Sequence, residues 1–178
     1  SAGAGGMKRA FAIASMLLLA GCWGSGKQAD TSANAAAPIG LEAAAIEAGV
    51  IPDPKNSDIT GLYARDTDRV CVVPSATAYR IGVFVDYGDQ QNCGGAGVVT
   101  RVGEHLHVEF DQIDGCSFDA RFEGDRIVFP GRLPDACQKL CLRRASLAGL
   151  DVSRLSESVS EASTLRDGKG RLLCSSGE

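Results

Sequence analysis

Cys116-Ser117-Phe118-Asp119-Ala120-Arg121-Phe122-Glu123-Gly124-Asp125-Arg126-Ile127-Val128-Phe129 is the stretch whose reading decides the fold. Cys116, Phe118, Ala120 and Phe122 alternate with Ser117, Asp119, Arg121 and Glu123, the period of a strand with one face buried and the other wet. Gly124-Asp125 suits a two-residue hairpin turn with Gly in the first central position, where φ is positive. That turn pairs Glu123 with Arg126, Phe122 with Ile127 and Ala120 with Phe129, so register and apolar face agree. A second alternating run lies upstream, where Tyr79, Ile81, Val83, Val85 and Tyr87 interleave with Arg80, Gly82, Phe84 and Asp86.

Working outward, shorter strands are expected at Ile59 to Ala64, Val70 to Val73, Val98 to Val102 and His105 to Phe110. About seven strands in roughly seventy residues predict a mainly β fold, a small antiparallel barrel or sandwich. After Pro130 the alternation ends. Pro134 suits a helix start, and Cys137, Leu140, Cys141 and Ala145 form an apolar stripe. A second helix is expected from Val152 through Leu155, Val159 and Ala162 to Leu165, since those spacings match one helical face. C-terminal helices therefore follow the strands. Ahead of them, Leu41 to Ala48 reads as a short leading helix ended by Gly49 and by Pro52 and Pro54. Residues 41–178 read as one β-rich domain, and residues 23 to 40, rich in Gly, Ser, Ala, Asn and Thr, as a flexible tether.

The N-terminus carries a different kind of signal. Lys8 and Arg9 precede the apolar run from Ala10 to Ala20, too short to span a bilayer as a helix. The run ends in Leu19-Ala20-Gly21-Cys22, which resembles the lipobox of bacterial lipoprotein precursors. The resemblance implies a signal peptide over residues 7–21, cleavage after Gly21, and lipid on Cys22. Residues 22–40 would then be a lipidated tether. Trp23 in place of the inner-membrane retention Asp favours the outer membrane. Residues 1–6 precede Met7 and stand outside the fold reading as an expression scar or upstream residues. Loss of residues 1–21 removes Lys8 and Arg9 and no acid, moving the net charge from −4 to −6.

Of the seven cysteines, lipidation of Cys22 leaves Cys71, Cys93, Cys116, Cys137, Cys141 and Cys174, an even set suited to an oxidising compartment. Their pairing is open among the roughly fifteen connectivities that six cysteines allow. If Cys137 and Cys141 share a helix, their Cβ atoms lie about 5 to 6 Å apart, too far for a disulfide. Each is expected to reach elsewhere, stapling that helix to the sheet and to the tail at Cys174. The absence of a C-x-x-C pair argues against zinc.

Candidate chemistry is sparse. His105, His107 and Glu109 would share one strand face and could hold a metal. Pairing Val98, Thr100 and Val102 with Phe110, Val108 and Leu106 nevertheless needs a turn at Gly103-Glu104-His105, which takes His105 off the strand. The reading preferred for these residues is a solvated sheet face, with no metal and no cofactor. Asp111, Asp114 and Gly115 lack the ligand spacing of a calcium loop. The run Asn92 to Gly97 is glycine-rich without the Lys and Ser or Thr of a phosphate loop, and reads as a backbone turn held by Cys93. Asp66 with Asp68, or Asp86 with Asp89, could supply the two carboxyls of a glycosidase, but acidic surfaces place such pairs by chance. No G-x-S-x-G is present.

This inventory predicts a binding protein rather than an enzyme. The acidic balance argues against nucleic acid and for a cationic protein partner in the envelope. The architecture is loosely similar to the membrane-bound inhibitors of C-type lysozyme, small lipoprotein barrels with a disulfide. Their Ser- and Tyr-containing inhibitory motif is absent here, so no functional residue carries over. The alternatives are an accessory or structural lipoprotein of an envelope machine and a small-ligand carrier using the barrel mouth.

Overall fold

The computed structural model describes residues 40–175; the expectations for the signal peptide, Cys22 and nearly all of the tether lie outside them. Eight antiparallel strands follow one another around a closed barrel: β1 (Gly61–Arg65), β2 (Asp68–Pro74), β3 (Tyr79–Asp86), β4 (Asn92–Val102), β5 (His105–Phe110), β6 (Ser117–Phe122), β7 (Arg126–Val128) and β8 (Asp151–Ser156). β8 pairs with β1 and shuts the barrel. Closure satisfies every strand edge, so no row of backbone groups is left to template another chain.

Side-chain alternation puts Val70 and Val72, Ile81, Val83 and Val85, Leu106 and Val108, Phe118, Ala120 and Phe122 into one interior cluster. An eight-stranded barrel is just wide enough for side chains to fill, and here they do. The β6–β7 hairpin is as read: Phe122 faces Ile127, the Glu123 N–H donates to the Arg126 carbonyl at 2.9 Å, and Gly124 has φ +88°.

Four expectations need correction. The barrel has eight strands, because Asp151–Ser156 is β8 and not the start of a helix. Helical structure after β7 is reduced to a 3₁₀ turn, Asp135–Leu140, and a single α-helical turn, α2 (Val159–Ala162). The β4–β5 turn is Gly103-Glu104 alone. Val102 therefore pairs with His105, Arg101 with Leu106 and Val99 with Val108, one residue from the expected register, and His105 belongs to the strand. Finally, the glycine run is the first half of β4. A Cβ on Gly95 would sit 2.9 Å from the Phe110 ring and 3.1 Å from Leu140, so glycine there permits close packing.

The leading helix α1 (Leu41–Glu47) forms as expected but buries none of its residues. A second apolar layer lies outside the barrel, where Ala162 and Leu173 pack on the outer side chains Cys71, Val73 and Ala96. Gly82 makes room for this strap: a Cβ there would lie 2.7 Å from the Cys71 sulfur and 2.5 Å from Leu173 Cβ. The tail is thus packed as well as pinned.

Three disulfides staple the fold: Cys71–Cys174, Cys93–Cys141 and Cys116–Cys137. Cys137 and Cys141 each reach the sheet, and Cys174 joins β2 rather than the 3₁₀ turn. The barrel has an entry end, carrying the 103–104 and 124–125 turns and the leading segment 52–58, and a far end covered by residues 129–150.

Candidate functional site

The groove lies on the outer wall toward the far end. Its floor is Phe84 of β3 with Asn92 and Gly94 of β4. One wall is Lys139, Leu140 and Leu142, the other Asp167, Gly168, Lys169 and Arg171, and the volume is about 490 Å³. Ligand sites fall in this size range.

Both walls are fixed by nearby covalent and hydrogen bonds. Cys93–Cys141 clamps the first to β4, where the Leu142 N–H donates to the Asn92 carbonyl at 2.8 Å. The second is a turn organised by Asp167, whose carboxylate accepts from the Lys169 and Arg171 N–H groups at 2.9 Å and from Arg171 Nε at 2.8 Å. Burial alone would push this carboxyl up, but these donors overcome it and hold its pKa below the ordinary carboxylate value. Asp167 is therefore spent on the turn. Among the described residues Lys139 and Lys169 have no salt-bridge partner, and Leu142 is 53% exposed. The groove offers unpaired positive charge beside the apolar side chains of Phe84, Leu140 and Leu142.

The expected residues fall elsewhere. His105, His107 and Glu109 all stand on the exposed face of β5. His107 Nδ1 is 2.7 Å from Asp119 Oδ1 across the strand pair, and its Nε2 is 3.7 Å from Glu109. The hydrogen bond with Asp119, aided by both carboxylate charges, raises the His107 pKa. No group of three His, Cys, Asp or Glu side chains among the described residues is arranged to hold a metal. Asp111 is taken by Arg80 at 2.9 Å. Asp86 accepts the Gly88 N–H at 2.9 Å, as a turn residue does.

At the entry end two arginines point into the barrel. Arg101 lies over the Phe122 ring, 5.1 Å from its centre, and donates to the carbonyls of Ser57, Pro54 (2.6 Å) and Gly103 (2.7 Å). Arg154 lies over Tyr63 and Phe122 at 5.5 and 5.6 Å, and donates to the Asp58 carbonyl, to Tyr63 Oη at 3.1 Å and to Glu157 at 2.8 Å. Tyr63 in turn donates to the Ile59 carbonyl at 2.7 Å. Burial pushes its phenol up to about 12, against the pull of Arg154. This constellation closes the barrel mouth.

The reading of the sequence missed both the groove and the plug. A charge count by region would have flagged the groove: residues 40–129 hold 15 acidic and 7 basic side chains, residues 130–175 only 5 and 8. The negative charge belongs to the leading segment and the turns, which hold 11 of those 15 acids and one of the 7 bases, and the C-terminal third is basic. No known protein family, curated protein or solved structure matches the chain.

Proposed function

We propose that this protein is an outer-membrane lipoprotein, anchored through lipid on Cys22, whose disulfide-stapled barrel works by binding a cationic envelope protein, as an inhibitor or a partner. The observation that carries the reading is the excess of eight negative charges on residues 40–129, carried by the leading segment and the turns of a barrel whose interior is already filled. Such a field steers a basic partner to the leading segment and the turns. The filled interior weighs against a small-ligand carrier, which needs a hollow to receive its cargo. An accessory role on an envelope machine has one observation in its favour, the leading helix α1 with no buried residue.

The test is salt-dependent binding of the oxidised chain to a panel of C-type lysozymes and basic envelope proteins, combined with cell fractionation. Binding that weakens as salt rises, and release of the chain from membranes on Cys22→Ser, are the expected results. Salt-independent binding or none would overturn the partner reading, and membrane retention of a processed Cys22→Ser chain would overturn the anchor.

A further inference from the structure

We propose that the groove between Leu142 and the Asp167 turn binds an acidic peptide segment that carries an apolar side chain beside its carboxylates. The proposal rests on the reading of this chain as a binding protein, but uses a different face and the opposite charge.

Three features select this occupant. The first is charge. Lys139 and Lys169 flank the groove without salt-bridge partners among the described residues, and Arg143 and Arg144 follow Leu142 in the chain equally unpaired. The sole carboxylate lining the groove, Asp167, is saturated by Arg171 and two backbone N–H groups. Within the lining an incoming carboxylate therefore meets cations and no free acid.

The second is the apolar lining. Phe84 on the floor is half-buried, and on the wall Leu140 is buried and Leu142 is exposed, so an aliphatic side chain entering the groove removes apolar surface from water on both partners. A bare inorganic anion would leave that surface wet. The third is the polar part of the lining, where Gln90, Asn92 and Gln112 supply side-chain amides. Such amides both donate and accept, which matches the N–H and C=O groups of an extended peptide backbone. The closed barrel has no free strand edge, so a peptide must be held through side chains rather than by adding a strand.

The basic region is too small for a polyanion such as nucleic acid, whose affinity comes from neutralising many phosphates. Both walls are tied to the barrel through Cys93–Cys141 and, by way of the strap, Cys71–Cys174. The groove is thus preformed, and little ordering cost falls on binding.

The test uses the oxidised full-length chain made soluble by Cys22→Ser and a hexapeptide of alternating Glu and Leu. Two controls replace Glu by Gln or by Lys. Amide NMR shifts at Gly94, Gly168 and Lys169 report occupancy. The expected result is saturable shifts confined to the groove, with roughly tenfold weaker binding of the Gln peptide and none of the Lys peptide. Lys139→Glu combined with Lys169→Glu should weaken the Glu peptide by roughly tenfold or more. Leu142→Ser should weaken it with charge intact. All three positions are exposed, so folding is not at stake, and unchanged amide spectra elsewhere confirm it. No binding, shifts elsewhere, or equal binding of all three peptides would overturn the proposal. Cationic-protein binding should survive the double lysine variant. If the chain with both lysines intact binds the cationic proteins but not the Glu peptide, the groove proposal alone falls; if it binds the peptide and not the cationic proteins, the wider reading falls.

Discussion

At the far end of the barrel the chain is held across the strands by two disulfides, whereas at the entry end the same task falls to two guanidiniums resting on aromatic rings. Cys93–Cys141 and Cys116–Cys137 fix residues 129–150 over the far opening. Arg101 and Arg154 fix residues 54–58 over the other, through backbone carbonyls and the faces of Phe122 and Tyr63. The covalent closure acts largely by restricting the unfolded chain. The polar closure acts in the folded state, where each carbonyl that loses its arginine is left without a partner. One end is therefore sensitive to reductant, the other to substitution of single side chains.

The largest expected effects come from breaking the covalent side. Loop-closure entropy predicts costs of about 4.7, 4 and 3.3 kcal/mol for removing Cys71–Cys174, Cys93–Cys141 and Cys116–Cys137 as paired Ala variants, following separations of 103, 48 and 21 residues. Urea unfolding of the three variants measures the order. A reversed order would show that local packing, rather than chain restriction, governs the staples.

On the polar side, Arg154→Met should cost about 2 to 3 kcal/mol, because the Asp58 and Gly124 carbonyls and the Tyr63 hydroxyl all lose a donor. Its effect should persist in reductant. Were it to vanish once the disulfides are opened, the two ends would be one cooperative unit and the contrast between them would fail.

A finer probe of the same end is Tyr63→Phe, which removes the 2.7 Å bond to the Ile59 carbonyl and the 3.1 Å bond accepted from Arg154 while keeping the ring under the guanidinium. About 1 kcal/mol is expected from denaturant midpoints. A loss as large as that of Arg154→Met would mean that the hydroxyl, rather than the ring, anchors the guanidinium.

The smallest effect belongs to the outer wall, away from both ends. The folded His107 pKa is raised above its ordinary 6.5 by Asp119. The stabilisation from this pair is therefore fully present below pH 6.5 and is lost as pH rises through the folded value. Since both groups are exposed, a few tenths of a kcal/mol is the expected size. NMR titration should show the His107 pKa falling toward the ordinary value in Asp119→Asn, and an unmoved titration would remove Asp119 as the cause.

The two main misreadings of register and type both trace to the plug. Val152, Leu155, Val159 and Ala162 have helical spacing, yet Leu155 is 63% exposed and the residue that turns inward on β8 is Arg154. On β4, matching the valines predicts a three-residue turn, yet Val102 is 79% exposed and Arg101 takes the inward place opposite Leu106. An apolar pattern is blind to an arginine inside. The groove escaped notice for a related reason: Phe84, Leu142 and Lys169 come from three separate parts of the chain, and none carries a motif.

The residue order alone determined the strand periodicity, the Gly124–Asp125 hairpin and an even set of cysteines, because each depends on neighbours a few positions apart. Which cysteines pair, how the eighth strand closes the barrel and how two arginines come to lie inside it were decided only by the tertiary structure. Arg101 finds its carbonyl partners 44 and 47 residues away and Arg154 its own as far as 96. A guanidinium turned into a barrel and half-buried there is tolerable only where such partners and ring faces converge, and that convergence exists only once the barrel has closed.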